Sequence, residues 1–214
     1  MNSDIALYYQ LRAKEYERIY QKPERQSDLL LARHFLQDIF AGKNLLEIAC
    51  GTGYWTEILA KTAHSIFATD INDSVLEVAK SKNYYPATVR FEKGDLFHLP
   101  DMDEFEGLFG GFIWSHIKLQ ELGTFISITN QQVKKGGVVV FMDNNYVEGS
   151  NLPICERDDF GNTYQIRTLE DGTTHKVVKN FPTEYFIRQN LEEKAEELNF
   201  VNLQYYWIVS YRVL

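Results

Sequence analysis

Leu45-Leu46-Glu47-Ile48-Ala49-Cys50-Gly51-Thr52-Gly53, read together with Asp70, decides the fold of this chain. An apolar run carrying one acidic residue passes through a Gly-x-Gly turn and enters a segment of helical character from Tyr54. A second apolar run, Ser65–Thr69, stops at the Asp70 carboxylate. Glycine at 51 and 53 permits positive φ and lets the backbone approach a ligand where a Cβ would collide. Amides at the start of the following helix can meet an anionic group on that ligand. A carboxylate at the end of the next strand is placed to accept two hydrogen bonds from ribose hydroxyls. The stretch therefore predicts a strand–turn–helix unit that binds a nucleoside-containing cofactor.

Outward from this unit the chain alternates between two periods. Residues 4–20 read as a helix rich in tyrosine (Tyr8, Tyr9, Tyr16, Tyr20), and 27–41 as a second helix ended by Gly42. Strands are predicted at 44–49, 65–69, 88–92, 107–112 and 138–142. Helices are predicted at 54–63, from a capping box at Ser74-Val75-Leu76-Glu77, and across 117–134. Such a rhythm implies a mostly parallel sheet with helices on both faces and ligands at the carboxyl edge of the strands. After residue 145 the rhythm breaks. A β-hairpin over 164–178, turning at Asp171-Gly172, precedes a helix over 184–198 with Ile187, Leu191, Ala195 and Leu198 on one stripe, and then a β-rich tail. The expected organisation is one domain over 1–214. Within it lie an N-terminal helical lid (1–42), a cofactor-binding core (43–145), a β-hairpin insertion (146–181) and a C-terminal helix with strands (182–214).

The formal net charge of −8 argues against nucleic acid as a partner, since phosphate backbones are met by clustered Lys and Arg. The two cysteines, Cys50 and Cys155, do not make a disulfide framework, because Cys50 lies inside the glycine loop; a reducing compartment, the cytoplasm, is expected. Met1-Asn2-Ser3-Asp4-Ile5 does not read as a signal peptide, and no apolar run is long enough to span a membrane.

Glu47-x-x-Cys50-Gly51-Thr52-Gly53, Asp70 and Gly94-Asp95-Leu96 stand in the order and spacing of the cofactor motifs of class I S-adenosylmethionine-dependent methyltransferases, which the chain resembles over roughly residues 40–145. The resemblance implies a Rossmann-like, doubly wound α/β fold. Its sheet would be seven-stranded and mostly parallel, with an antiparallel terminal strand. It also implies S-adenosylmethionine as cofactor, leaving as S-adenosylhomocysteine. Glu47 would then anchor the loop and the amino-acid end of the cofactor, within a wall of Ala49, Cys50, Gly51, Thr52, Gly53 and Trp55. Asp70 would hold the ribose and Asp95 the adenine amino group, with Ile71 and Leu96 on the ring faces. Gly110 and Gly111 would let the sulfonium end of the cofactor lie close to the backbone, with Phe112, a further cofactor-binding candidate, or Trp114 walling the pocket. Arg12 or Tyr16 from the first helix would meet the methionine carboxylate or the substrate; an amphipathic helix with tyrosines at the core boundary explains the same residues.

The activity implied is methyl transfer to an O, N or C nucleophile of a small molecule. Two alternatives stay open: a non-catalytic cofactor-binding or regulatory module, and, further off, an NAD-dependent oxidoreductase. The latter wants a third glycine where this chain has Thr56. The strand exit at 109–116 lacks the Asn/Asp-Pro-Pro-aromatic motif of base-methylating enzymes, which again points to a small acceptor. His116 at that exit is the candidate general base or substrate-orienting group, the other reading being a helix cap. The hairpin offers Arg167, His175 and Lys176 as a substrate cap or a dimer contact, so monomer and homodimer both remain open. The acidic loop of Asp101, Asp103 and Glu104 has no companion His or Cys set, and no metal is expected.

Overall fold

The computed structural model describes residues 3–99 and 105–214. Met1, Asn2 and the acidic loop at Asp101, Asp103 and Glu104 lie outside the described residues. Helix α1 (Ser3–Arg12) runs into a 3-10 segment, Ala13–Gln21, and a short one, Pro23–Arg25. Then follow α2 (Gln26–Ile39), β1 (Asn44–Ile48), α3 (Tyr54–Leu59), β2 (Ser65–Asp70), α4 (Asp73–Lys80), β3 (Thr88–Lys93), β4 (Phe105–Gly111), α5 (Leu122–Gln131) and β5 (Val133–Asn144). The rest comprises β6 (Glu156–Arg157), β7 (Thr163–Thr168), β8 (Thr174–Val178), α6 (Glu184–Leu191), β9 (Ala195–Asn202) and β10 (Tyr206–Val213).

Seven strands form one sheet in the order β3-β2-β1-β4-β5-β10-β9, and β6-β7-β8 form a small antiparallel sheet. Strands β1 to β5 pair in parallel, whereas β10, the last in sequence, is antiparallel to both β5 and β9. This is the expected doubly wound α/β architecture. Alternation along each strand feeds two cores. Leu45, Val138, Val140 and Met142 face α2 and α3, while Leu46, Ile48, Val139 and Phe141 face α5 and α6. A third, smaller cluster joins Tyr8 of α1 to Val177 and Val178 at the end of β8.

Three local expectations are corrected. The helix expected over 184–198 stops at Leu191; Ala195 and Leu198, its apolar stripe, lie on β9. Pairing of Val201 with Ile208 and Phe200 with Val209 of β10 outweighs the helical spacing there. Of the segment 117–134 only Leu122–Gln131 is α-helical, because β5 begins at Val133 and extends five residues ahead of the predicted Val138. The capping box at Ser74 does not form: α4 starts at Asp73 after Asn72, and the Ser74 hydroxyl donates to the Gln10 carbonyl (3.2 Å), tying α4 to α1.

Candidate functional site

The parallel register brings the carboxyl ends of β1, β2 and β4 to one edge. After Ile48 the chain turns through Ala49 (φ 50°), Gly51 (φ 57°) and Gly53 (φ 78°) into α3. At Gly53 a side chain is excluded twice over. The conformation is left-handed, and a Cβ would land on the Tyr84 hydroxyl and within 3.1 Å of Ala79 Cβ. Gly53→Ala is expected to cost about 2–3 kcal/mol, read as a shift in the urea midpoint. Tyr84→Phe in the same background should return the part due to the hydroxyl clash.

Asp70 closes β2 with both carboxylate oxygens engaged. Oδ2 accepts the Gly51 amide (2.9 Å) and Oδ1 the Asn72 amide (2.9 Å). Burial pushes its pKa up, partly offset by these amides. A cleft opens above the turn, lined by Ala49, Gly51, Asp70, Ile71, Leu96 and Gly111, and roofed by Tyr9, Tyr16 and Phe112. Gly94 and Leu96 line this cleft, but Asp95 does not: its Oδ1 accepts the Phe97 amide (3.0 Å) and His98 lies 3.5 Å away. Gly53 is likewise structural, behind the lining.

A smaller recess continues beneath the loop, between Glu47, Cys50, Thr52, Trp55 and Gly111. Trp55 Nε1 donates to the Tyr20 hydroxyl (3.1 Å), and the Thr52 hydroxyl to Glu17 (2.7 Å), which also pairs with Lys82. Glu47 is 1% exposed, burial raises its pKa to about 8, and its Oε2 has no hydrogen-bond partner. A buried oxygen left without a donor beside an open recess is one that a hydrogen-bond donor entering the recess can satisfy.

The exit of β4 is held open by strain. Phe112 takes φ 60° and its amide still donates to the Met142 carbonyl (2.6 Å), turning its ring towards the cleft. Trp114 does not wall the pocket: at 1% exposure it packs beneath the sheet against Phe125, Phe141 and Trp207. His116 lies at the cleft, carried by the 3-10 turn Trp114–His116. Its Nδ1 lies 2.6 Å from the Val178 carbonyl, an acceptor, so Nδ1 carries the proton and Nε2 accepts from the Tyr9 hydroxyl (2.8 Å). Burial, reinforced by Lys179 and Arg167, lowers its pKa to about 3. His116 is therefore a neutral imidazole whose one basic nitrogen is already engaged by Tyr9.

Beside the cleft lies a second cavity of about 210 Å³ that shares Tyr9, Tyr16 and Phe112 with it. Arg12 faces this cavity rather than the cleft, and its Nη1 donates to Tyr8 (2.8 Å). Sequence reasoning missed two groups here, the His116 partner Tyr9 and the buried pair Lys179–Asp143 (2.9 Å), whose Lys179 also donates to Ser115 Oγ (2.6 Å). Asp143 lies at the end of β5, a position at the productive sheet edge that the strand reading alone could have flagged. Lys179 follows the hairpin, and nothing in its local sequence announces it. Among the described residues, no group of three His, Cys, Asp or Glu side chains is placed to hold a metal ion, and no helix is long and apolar enough to cross a membrane.

Residues 45–137 match the family of the methyltransferase domain. The matched stretch runs from β1 into β5 and carries the glycine turn, Asp70 and the cleft-lining Gly94, Leu96 and Gly111. Among similar proteins, a demethylmenaquinone methyltransferase of Staphylococcus aureus (strain MRSA252) is 24% identical, over 92% of this chain and 84% of that one. Two solved structures, a DhpI–SAH complex and a DhpI–SAM–HEP complex, superpose with TM-scores of 0.81 and 0.82 at 24% identity. They cover 98% of this chain and 95% and 96% of their own. The PH0226 protein of Pyrococcus horikoshii OT3 shares the fold at 17% identity and TM-score 0.73, over 94% of this chain and 99% of its own.

Proposed function

We propose that this chain is a methyltransferase that moves the methyl group of S-adenosylmethionine to an O, N or C atom of a small molecule. The observation that carries the reading is the meeting of two cavities at one wall. A glycine-edged cleft carries the Asp70 carboxylate, the recess beneath it carries Glu47, and a separate acceptor-sized cavity opens across Tyr9, Tyr16 and Phe112. When bound, S-adenosylmethionine supplies an electrophilic methyl group on a positively charged sulfur, open to in-line displacement. In this reading Asp70 accepts the ribose hydroxyls and the orphaned Glu47 oxygen accepts the ammonium of the methionine end. Ile71 and Leu96 flank the adenine, Asp95 standing outside the cleft lining. His116 acts through Tyr9, fixing the hydroxyl at the junction of the cavities, and positioning does most of the work. The open second cavity favours an enzyme over a binding module, in which that space would be filled.

Calorimetric titration with S-adenosylmethionine, S-adenosylhomocysteine and NAD tests the reading. Micromolar binding of the first two with NAD silent is expected; NAD binding alone would put the oxidoreductase reading first. Glu47 adds a signature of its own. Its folded pKa of about 8 lies above the usual carboxylate value, so it is mostly protonated at pH 7. Its contribution to stability is complete below the unfolded value, about 4.3, and is lost as pH rises through the folded one. An ammonium brought beside it favours the carboxylate. Cofactor binding at pH 7 should therefore release about one proton, falling towards none above pH 9. Titrations in buffers of different ionisation enthalpy measure this, and Glu47→Gln should abolish it.

A further inference from the structure

The second cavity is charged in a way the protein as a whole is not. In a chain of net charge −8, five cations converge on it: Arg12, Lys22, Arg25, Arg167 and Lys179. Among the described residues, no Asp or Glu side chain lines it. Four of the five are held by neutral groups. Arg25, 6% exposed between the Tyr205 and Tyr206 rings, donates to Ser150 and to Asn144 Oδ1. Lys22 donates to the Ser150 carbonyl, Arg12 to Tyr8, and Arg167 to Gln165 Oε1, leaving the buried Arg167 Nε with no partner. Only Lys179 has a carboxylate, Asp143, and burial together with Arg167 and Arg25 holds the Lys179 pKa down against that pairing. Positive charge buried at Arg25 and half-buried at Arg12, Lys22 and Arg167 has no carboxylate beside it, so the arrangement favours a negative ligand.

We propose that the methyl acceptor is a small acid bound as its anion, and that an acid oxygen is the atom methylated. This rests on the methyltransferase reading of the adjoining cleft. A neutral hydroxyl or a protonated amine would have to lose a proton as it attacks, and the cavity offers no base: His116 Nε2 is occupied by Tyr9, and no carboxylate lines the space among the described residues. An oxyanion already carries the lone pair it needs. In the reaction the acid oxygen bonds to the methyl carbon and the methyl–sulfur bond breaks, its electron pair staying on sulfur. The negative charge of the acid and the positive charge of the sulfonium cancel. The products are a methyl ester and S-adenosylhomocysteine, with no proton taken up or released.

Ligand-observed NMR of the full chain, with and without S-adenosylhomocysteine, tests the proposal using ethylphosphonate, propionate and the neutral propionamide as probes. Line broadening of an anion but not of propionamide is expected. Arg167→Gln and Lys22→Gln, chosen because neither is as deeply buried as Arg25, should each weaken the anion about tenfold while leaving S-adenosylhomocysteine affinity within about twofold. Ethylphosphonate alone identifies a tetrahedral phosphorus acid, propionate alone a carboxylic acid; either supports the proposal. Anion lines that stay sharp, propionamide broadened equally, or variants that bind like the parent overturn it. So does methyl transfer to a neutral quinone-type acceptor that anions fail to inhibit, which would leave the methyltransferase reading standing. Failure of S-adenosylhomocysteine to bind strikes that reading instead, and the anion signal of the unloaded protein still decides the cavity.

Discussion

Asp70→Ala is expected to weaken S-adenosylmethionine binding by about 100- to 1,000-fold with the fold retained, because in its proposed ribose role two charge-assisted hydrogen bonds would be lost together. The side chain does two things at once. It fixes the Gly51 amide and the Asn72 amide from within the protein, and its remaining lone pairs face the cleft. Removal therefore loosens the glycine turn as well as the ligand contact. Gly51 is only partly buried, so water can take over its amide, which is why the fold should survive. Asp70→Asn keeps the shape but gives up the charge and one acceptor oxygen, and should fall between the two. Calorimetry with a thermal melt as control reads both effects. Unchanged affinity in Asp70→Ala would remove the ribose role.

Lys179→Met is expected to lose about 3–5 kcal/mol of stability, since it strands a buried carboxylate. Asp143 is 0% exposed; Lys179, the Ser115 amide and Asn144 satisfy its oxygens. Burial alone would push its pKa up, but the charge and hydrogen bond of Lys179 and the Ser115 amide outweigh that and leave it below the ordinary carboxylate value. The sign follows from the folded value being depressed. The pair's stabilisation is present above the unfolded pKa of an aspartate, about 3.9, and is lost as pH falls through the lower folded value. Urea unfolding at pH 7 should show the loss in Lys179→Met and recover most of it in Lys179→Met with Asp143→Asn, where no charge is left behind. If the double variant is as unstable as the single one, the lysine matters through packing rather than through its charge.

Much of the cofactor side is legible in the sequence because its constraints are local. Gly51 and Gly53 are dictated by backbone angles, and Asp70 by the end of a strand, so each leaves a mark within a few residues of itself. The parallel sheet is legible for the same reason: its strands are short apolar runs punctuated by turn residues. The acceptor side is not. Arg12, Arg25, Arg167 and Lys179 come from separate segments, and each alone reads as an ordinary surface cation. Only the packing of α1 and the 3-10 segments against β8 and the β4 exit brings them to one space. A helix through Ala195 and Leu198 does not form because a stripe at helical spacing can also satisfy a strand when a partner such as β10 is available, and that partner comes from elsewhere in the chain. The place of Trp114 depends on which face of the sheet its turn addresses, and no neighbouring residue signals that.

The union of Tyr9 with His116, 107 positions apart, orders the events of folding. The sheet from β1 to β5 pairs strands no further apart than β1 and β4, Leu45 with Gly107, but the roof over the two cavities comes from α1, whose Tyr8 rests on Val177 and Val178 and waits for the whole of the intervening polypeptide. Contacts of such long separation are closed late. A refolding experiment should therefore find Trp114 and Trp207 buried before the chain regains any affinity for S-adenosylhomocysteine. The interval between those two signals would time the docking of the first helix.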